Sequence, residues 1–212
     1  MARKNHSSPE QARNAILDAA QEIIVNVGPA GLRISAVAKK AGMAHPNIIH
    51  HFGSREGLIS ALAQRVGERS TERVTEAIKQ ATKASPEDRI DAMTRVLDIA
   101  FPGDEGKAAV WLHLSGAETS LKSNMERIVQ VSHSLRQTIN SDANLHNTNR
   151  LVMLITLALV GEVVSGQGIK GALGFGNDES SRAHFRRWLT EILLNLSDEQ
   201  LNTSLNLSLI HI

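Results

Sequence analysis

Apolar residues recur along this chain at helical spacing, and no stretch alternates long enough to suggest a half-buried strand. Ile16, Ala20, Ile23, Ile24 and Val27 fall at i, i+4, i+7, i+8 and i+11. They form one stripe of a helix that begins near residue 9 and stops at Gly28-Pro29. Ile34, Val37, Ala38 and Ala41 face inward on a short helix over 34–41, and Gly42 ends it in the left-handed conformation of a tight turn. A helix of barely two turns follows over 45–51, with Pro46 at its start, where a missing N–H leaves nothing unpaired. Ser54 caps a long helix over 55–84, with Glu56 complementing its dipole and Leu58, Leu62 and Val66 inside. Ser85-Pro86-Glu87 opens a helix over 86–101, which Pro102-Gly103 ends. Further helices are expected over about 104–117, 120–140, 148–167 and 181–196. The last places Phe185, Leu189, Ile192, Leu193 and Leu196 on one face, and the Gly-rich stretch 168–181 before it reads as a mobile loop. The pattern predicts an all-α chain of about nine helices, three short ones followed by six longer ones.

The 212 residues suffice for one large domain or two small ones sharing a core. With no cysteine, disulfides, zinc–thiolate sites and thiol nucleophiles are excluded. The longest apolar run, 151–160, is half the roughly 20 residues a membrane-spanning helix needs. It reads as a buried helix, so no membrane partner is expected. The polar N-terminus lacks a signal-peptide core, which fits a cytoplasmic protein. Net charge is only +1 but unevenly spread: residues 1–55 carry seven Lys/Arg and three acids, and the remainder 16 bases and 19 acids. A basic end on an otherwise acidic chain suits contact with a polyanion.

The C-terminus, from 197 to 212, reads as a tail. Its last six residues, Leu207–Ile212, back-translate as CTG TCT CTT ATA CAC ATC, which resembles the transposon end used in sequencing libraries. An adapter read-through and a native frayed end both account for it, and the tail is left out of the fold.

The densest chemistry lies in "MAHPNIIHHFGSREG", residues 43–57. Metal-binding histidines on a helix need i, i+4 spacing. Here His50 and His51 lie roughly 140° and 240° around the helix from His45, and no acid within 43–55 could orient an imidazole. No Ser-His-Asp arrangement can be assembled from local spacing, and no cofactor or metal is expected. A short helix, a glycine turn and a second short helix instead form a helix-turn-helix pattern. Ile48 and Phe52 give the second helix an inner face, leaving His45, Asn47 and His50 as candidates to face DNA.

Ile16-Leu17-Asp18-Ala19-Ala20, Ala38-Lys39-Lys40-Ala41-Gly42-Met43, His50-His51-Phe52 and Arg55-Glu56-Gly57-Leu58 together resemble the N-terminal domain of the TetR family of bacterial transcriptional repressors, over about residues 12–66. The resemblance implies a three-helix helix-turn-helix domain at 1–54 and a helical ligand-binding and dimerisation domain at 55–196. Operator contacts are then expected from Arg33, Ser35, Ala44, His45, Pro46, Asn47, His50 and Arg55. In this reading Arg55 and His50 hold phosphates, while His45 and Asn47 face base edges. Several positions depart from the family. Arg33 stands where Ser or Thr is usual, so Ser35 is expected to cap the second helix. Ile49 and His51 replace frequent aromatics, and Pro46 a common glycine. His51 is expected to be partly buried and structural, and Lys39 and Lys40 are expected at the rim.

The resemblance further implies a homodimer through helices 148–167 and 181–196, with double-stranded operator DNA and a small-molecule effector as partners. The effector pocket would draw on Met93, Leu97, Trp111, His113, Met125, His133, Met153 and Thr156. Trp111 suits core as well as pocket, and His113 suits a polar anchor or a satisfied core histidine. The expectation is a ligand-released repressor rather than an enzyme. A same-fold activator or a DNA-binding protein without a ligand stays open. A helical enzyme using His113 or His133 with Glu118 or Glu162 is the alternative of another class, and no catalytic motif supports it.

Overall fold

Helix α1 (Pro9–Val27) starts with a reciprocal cap written into Ser8-Pro9-Glu10-Gln11. The Gln11 N–H donates to Ser8 Oγ at 3.1 Å, and the Ser8 N–H donates to Gln11 Oε1 at 2.8 Å. The computed structural model describes residues 8–115, 121–176 and 178–206. Among these residues the regular structure is entirely helical, with ten α-helices and one 3-10 turn. The all-α expectation holds, with one helix more than the periodicity implied. Contacts divide the chain into two compact units, Met1–Gly67 with Gly103–Ser120, and Glu68–Pro102 with Leu121–Ile212. The units part within α4 (Arg55–Ala81), whereas the sequence division stands at 54/55.

The first unit is built on α1, α2 (Ile34–Ala41), α3 (His45–Phe52), the start of α4 and α6 (Gly103–Leu114). Its core gathers Ile16, Ala20, Leu32, Val37, Ile48, Leu58 and Leu62, with Ala108 and Leu112 from α6. Val27, the last member of the α1 stripe, is 68% exposed because the helix ends there and only the Pro29–Gly31 turn lies beside it. Gly42 has φ +66, and the Met43 N–H reaches back to the Ala38 carbonyl at 2.9 Å, which closes α2. Arg65 on α4 clasps α1 through Asp18 Oδ1 at 2.8 Å and Gln21 Oε1 at 3.2 Å. At the other end of that packing, a side chain at Gly57 would put its Cβ 2.0 Å from the Phe52 carbonyl oxygen, so the end of α3 and the first turn of α4 touch backbone to backbone.

The second unit holds the rest of α4, α5 (Arg89–Ala100), α7 (Leu121–Ile139), α8 (Leu145–Ala172), α9 (Glu179–Asn195) and α10 (Asp198–Asn206). Val74, Ile78, Val96 and Leu135 form one core cluster, and Leu97, Leu159 and Leu189 a second. A charged group lies beside the second cluster. Arg186, 3% exposed, donates to Glu162 Oε2 at 2.9 Å, Asp98 Oδ1 at 3.2 Å and the Leu97 and Phe101 carbonyls. Glu162, 6% exposed, also accepts from Lys170 Nζ at 3.1 Å.

Element limits differ from the expectations in three notable places. Residues 86–88 form a turn, because Ser85 Oγ bonds the Asp88 carboxylate and N–H, and α5 starts only at Arg89. Helix α8 runs 28 residues, from 145 to 172, so the front of the expected 168–181 loop is helical; Lys170, bound to Glu162, holds this last turn. By length and composition α8 could cross a membrane, yet Asn147 and Thr148 are fully buried within the unit and Glu162 is ion-paired there. The third difference is α10, within the stretch set aside as a tail. It docks on α7 and α8 through Asp198, which accepts from Arg136 Nη2 and Asn147 Nδ2 at 2.8 Å each. Residues 116–120, which include Glu118 and the end of the helix expected over 104–117, lie outside the described residues, as does Leu207–Ile212.

Burial opposes the Asp198 charge, but hydrogen bonds from Arg136 and Asn147, and the Arg136 charge itself, hold its carboxyl below the usual aspartate range. A lowered acid stabilises above its unfolded value, about 3.9, and that stabilisation is lost as pH falls through the folded value. Docking of α10 is therefore expected to be constant from neutrality to about pH 4 and to weaken below it. An acid titration of the α10 amide NMR shifts checks this, and Asp198→Asn should remove the dependence.

Candidate nucleic-acid interface

Helix α3 is held by glycines at both ends, by Gly42 before it and by Gly53 with φ +75 after it. Ile48 is fully buried and Phe52 packs on the same core, so the inner face is the expected one. His45, Pro46, Asn47, Ile49 and His50 are exposed. Half-buried His51 faces a different environment. Its carbonyl accepts from Arg13 Nη1 at 3.2 Å, and the Arg13 guanidinium lies 4.5 Å from the centre of the Phe52 ring. The His51 ring centre is 5.6 Å from that of His50 and 6.3 Å from that of Phe52.

Arg55 joins the pieces around α3. Its Nε donates to the Leu32 carbonyl at 2.9 Å, which ties the start of α4 to the approach to α2. The Ser54 hydroxyl accepts from the Gly57 N–H at 3.1 Å, as expected for the cap of α4. Ser35 does not cap α2. The helix begins at Ile34, so Arg33 holds the cap position without a side-chain bond and Ser35 already lies in the first turn. Arg33, Ser35, Ala44 and Arg55 are nevertheless exposed, like the candidates on α3. Arg33 and Lys39 have no ion-pair partner among the described residues, while Lys40 pairs with Glu22. Lys39 thus joins the basic groups free to meet an anion.

The expected effector residues divide between the two units. Trp111 and His113 belong to the first unit and are exposed; the other six belong to the second. Leu97 is buried with Leu159 and Leu189, Met93 packs on the Val74–Leu135 cluster, Met125 is half-buried and Met153 is exposed. Thr156 bonds its own helix at the Val152 carbonyl. Thr148 Oγ1 accepts from Arg136 Nη1 at 2.8 Å and lies 3.2 Å from the Asn144 carbonyl. If its proton goes to that carbonyl, His133 Nδ1, at 3.0 Å, must be the donor to it, leaving Nε2 for another group. A cleft of about 400 Å3 opens between α4 and α5, floored by Ala77, Ala81 and Ala92, and none of the expected residues lines it.

Periodicity alone did not single out the exposed side of α8. Leu157 is 62% exposed and Val164 60%, and a Cβ added at Gly161 or Gly168 would meet nothing. These four residues, at steps of four, three and four, make one apolar stripe of large and absent side chains. On α9, Trp188 is 56% exposed and Ile192 follows one turn on. The signal in the sequence was an α8 that is apolar almost all round, more than a single core could cover.

The family model described as "Bacterial regulatory proteins, tetR family" matches residues 16–62, which span α1, α2, α3 and the start of α4. No curated protein sequence matches the chain. Solved structures match it at low identity over nearly its whole length. One is a protein of Mesorhizobium loti MAFF303099 assigned provisionally to the TetR family of transcriptional regulators, with 13% identity and a TM-score of 0.66 over 89% of this chain and 98% of that one. The multidrug binding protein EbrR complexed with imidazole has 18% identity and a TM-score of 0.59, over 87% and 96%. A TetR-family member from Streptomyces coelicolor A3 has 21% identity and a TM-score of 0.55, over 86% and 97%. Residues 16–62 thus carry the helix-turn-helix DNA-binding module of the tetR-family model, and the helices of the chain follow the fold of the TetR-family structures it matches.

Proposed function

We propose that this regulator is a cytoplasmic homodimeric repressor that binds a palindromic operator and releases it when a small molecule binds. The observation that carries the reading is the uncovered apolar stripe of α8, Leu157, Gly161, Val164 and Gly168. Paired across a two-fold axis, such stripes bury leucine and valine where the glycines let two backbones approach. Two copies also supply what one short reading helix lacks. Successive major grooves lie roughly 34 Å apart, and a dimer can present one α3 to each.

The EbrR structure holds imidazole, and a second holds malachite green. By analogy an effector here would enter the second unit, near Met93, Leu97, Met125, His133, Met153 and Thr156. It must bind one state of the dimer more tightly than the other, since equal affinity shifts nothing. Glu162, one of the two acids of the enzyme alternative, is held between Arg186 and Lys170, which leaves it poorly placed for proton transfer.

A gel-shift series with DNA flanking the gene tests the reading. A short near-palindrome should be retarded, with affinity falling steeply as salt rises. Absence of retardation at low salt would overturn the reading. On the exposed face of α3, Asn47→Ala should relax base preference at one operator position by about 1–3 kcal/mol. Unchanged preference would remove Asn47 from base readout.

A further inference from the structure

The eight residues of α3, HPNIIHHF, include no lysine or arginine, so any positive charge on the helix must come from histidine. Histidine is the side chain whose ordinary titration falls between pH 5 and 8. We propose that His45 and His50 are proton-dependent DNA contacts, each taking up a proton as the helix enters the groove, so that operator binding tightens on acidification. The proposal rests on the DNA-binding regulator reading above.

The imidazoles differ in surroundings. His45 and His50 are exposed, and a phosphate or a guanine acceptor beside an imidazole favours its charged form. His51 is half-buried between the His50 ring and the Arg13–Phe52 pair. A proton on the His51 ring would stand beside a protonated His50, with 5.6 Å between the ring centres. Two such charges repel, so the proposal places the proton on His50, the exposed member of the pair.

The charged groups on the neighbouring elements are few. Arg13 of α1 reaches α3 at the His51 carbonyl, and the neighbouring α2 carries Lys39 and Lys40, with Arg33 at its cap position. Glu22 is occupied by Lys40. The start of α4 supplies Arg55 and Glu56. Backbone and Ser54 hydrogen bonds hold the Glu56 carboxyl below its ordinary range, so it stays an anion throughout the interval. Permanent charges around α3 thus stay fixed while the histidines change.

The test measures binding of the full-length protein to the flanking DNA and to an unrelated duplex, as a function of salt, at about pH 8 and about pH 6. Each cation added at the duplex steepens the plot of log K against log salt by about 0.9. Two protons per protomer should steepen it by about 1.8 per protomer at the lower pH. Affinity at fixed salt should rise by up to about tenfold per pH unit for each proton taken up. His45→Gln and His50→Gln should each remove about half of the steepening and the double variant all of it, whereas His51→Gln should leave it intact. Both targets are exposed, so folding should persist, and a thermal melt verifies this. Salt slopes equal at both pH values, or a pH response retained in the double variant, would overturn the proton linkage and leave the regulator reading standing. Failure to bind either duplex at low salt and either pH would overturn both.

Discussion

Replacing Arg186 by Leu is expected to lower the unfolding free energy by about 3–5 kcal/mol, read from urea denaturation. Arg186 is 3% exposed and Glu162 6%, and the guanidinium also satisfies two carbonyls at the end of α5. Removing it leaves Glu162 buried with only Lys170 and strands the Leu97 and Phe101 carbonyls, so the loss includes desolvation that is no longer compensated. A second substitution separates the two contributions. Glu162→Gln in the Arg186→Leu background removes the stranded charge and should recover part of the loss. A single-variant loss below about 1 kcal/mol would place the pair with surface ion pairs. Such a result would contradict the role given to it here.

Placing glutamates at both Leu157 and Val164 is expected to leave a folded monomer by sedimentation. The two side chains are mostly exposed in the single chain, so the substitutions should disturb its fold little. In a two-fold interface the same substitutions would face like charges in an apolar seam. Operator affinity should then fall by about a thousandfold or more, toward the level of non-specific binding. A variant that still sediments as a dimer would move the interface away from α8.

Much of the first unit was legible because its signals are local. Gly42 and Gly53 mark the turns and Ser54 the cap, and Ile48 with Phe52 marks the inner face of α3. Each depends on residues within a few positions of one another. The second unit was less legible because its limits depend on distant partners. The last turns of α8 are held by Lys170 on Glu162, and α10 by Asp198 on Arg136 and Asn147, 62 and 51 positions away. No periodicity records such pairs. The residues expected to contact an operator are all exposed, and Ser35, expected as a cap, lies in the first turn of a helix whose cap position Arg33 holds. The effector candidates rest on helix order, and helix order does not say which side chains converge.

The contact at Gly57 has a mechanical meaning. With 2.0 Å between a would-be Cβ and the Phe52 carbonyl, there is no slack where α3 hands over to α4. A hinge absorbs rotation in loose residues, whereas here the joint behaves like two gear teeth in mesh. A twist of the first turn of α4 towards Phe52 would press on the end of α3, so the two helices are placed to turn together. Any bulkier residue at 57 would re-cut that joint, changing the pitch at which the protein reads DNA while leaving every DNA-facing side chain in place.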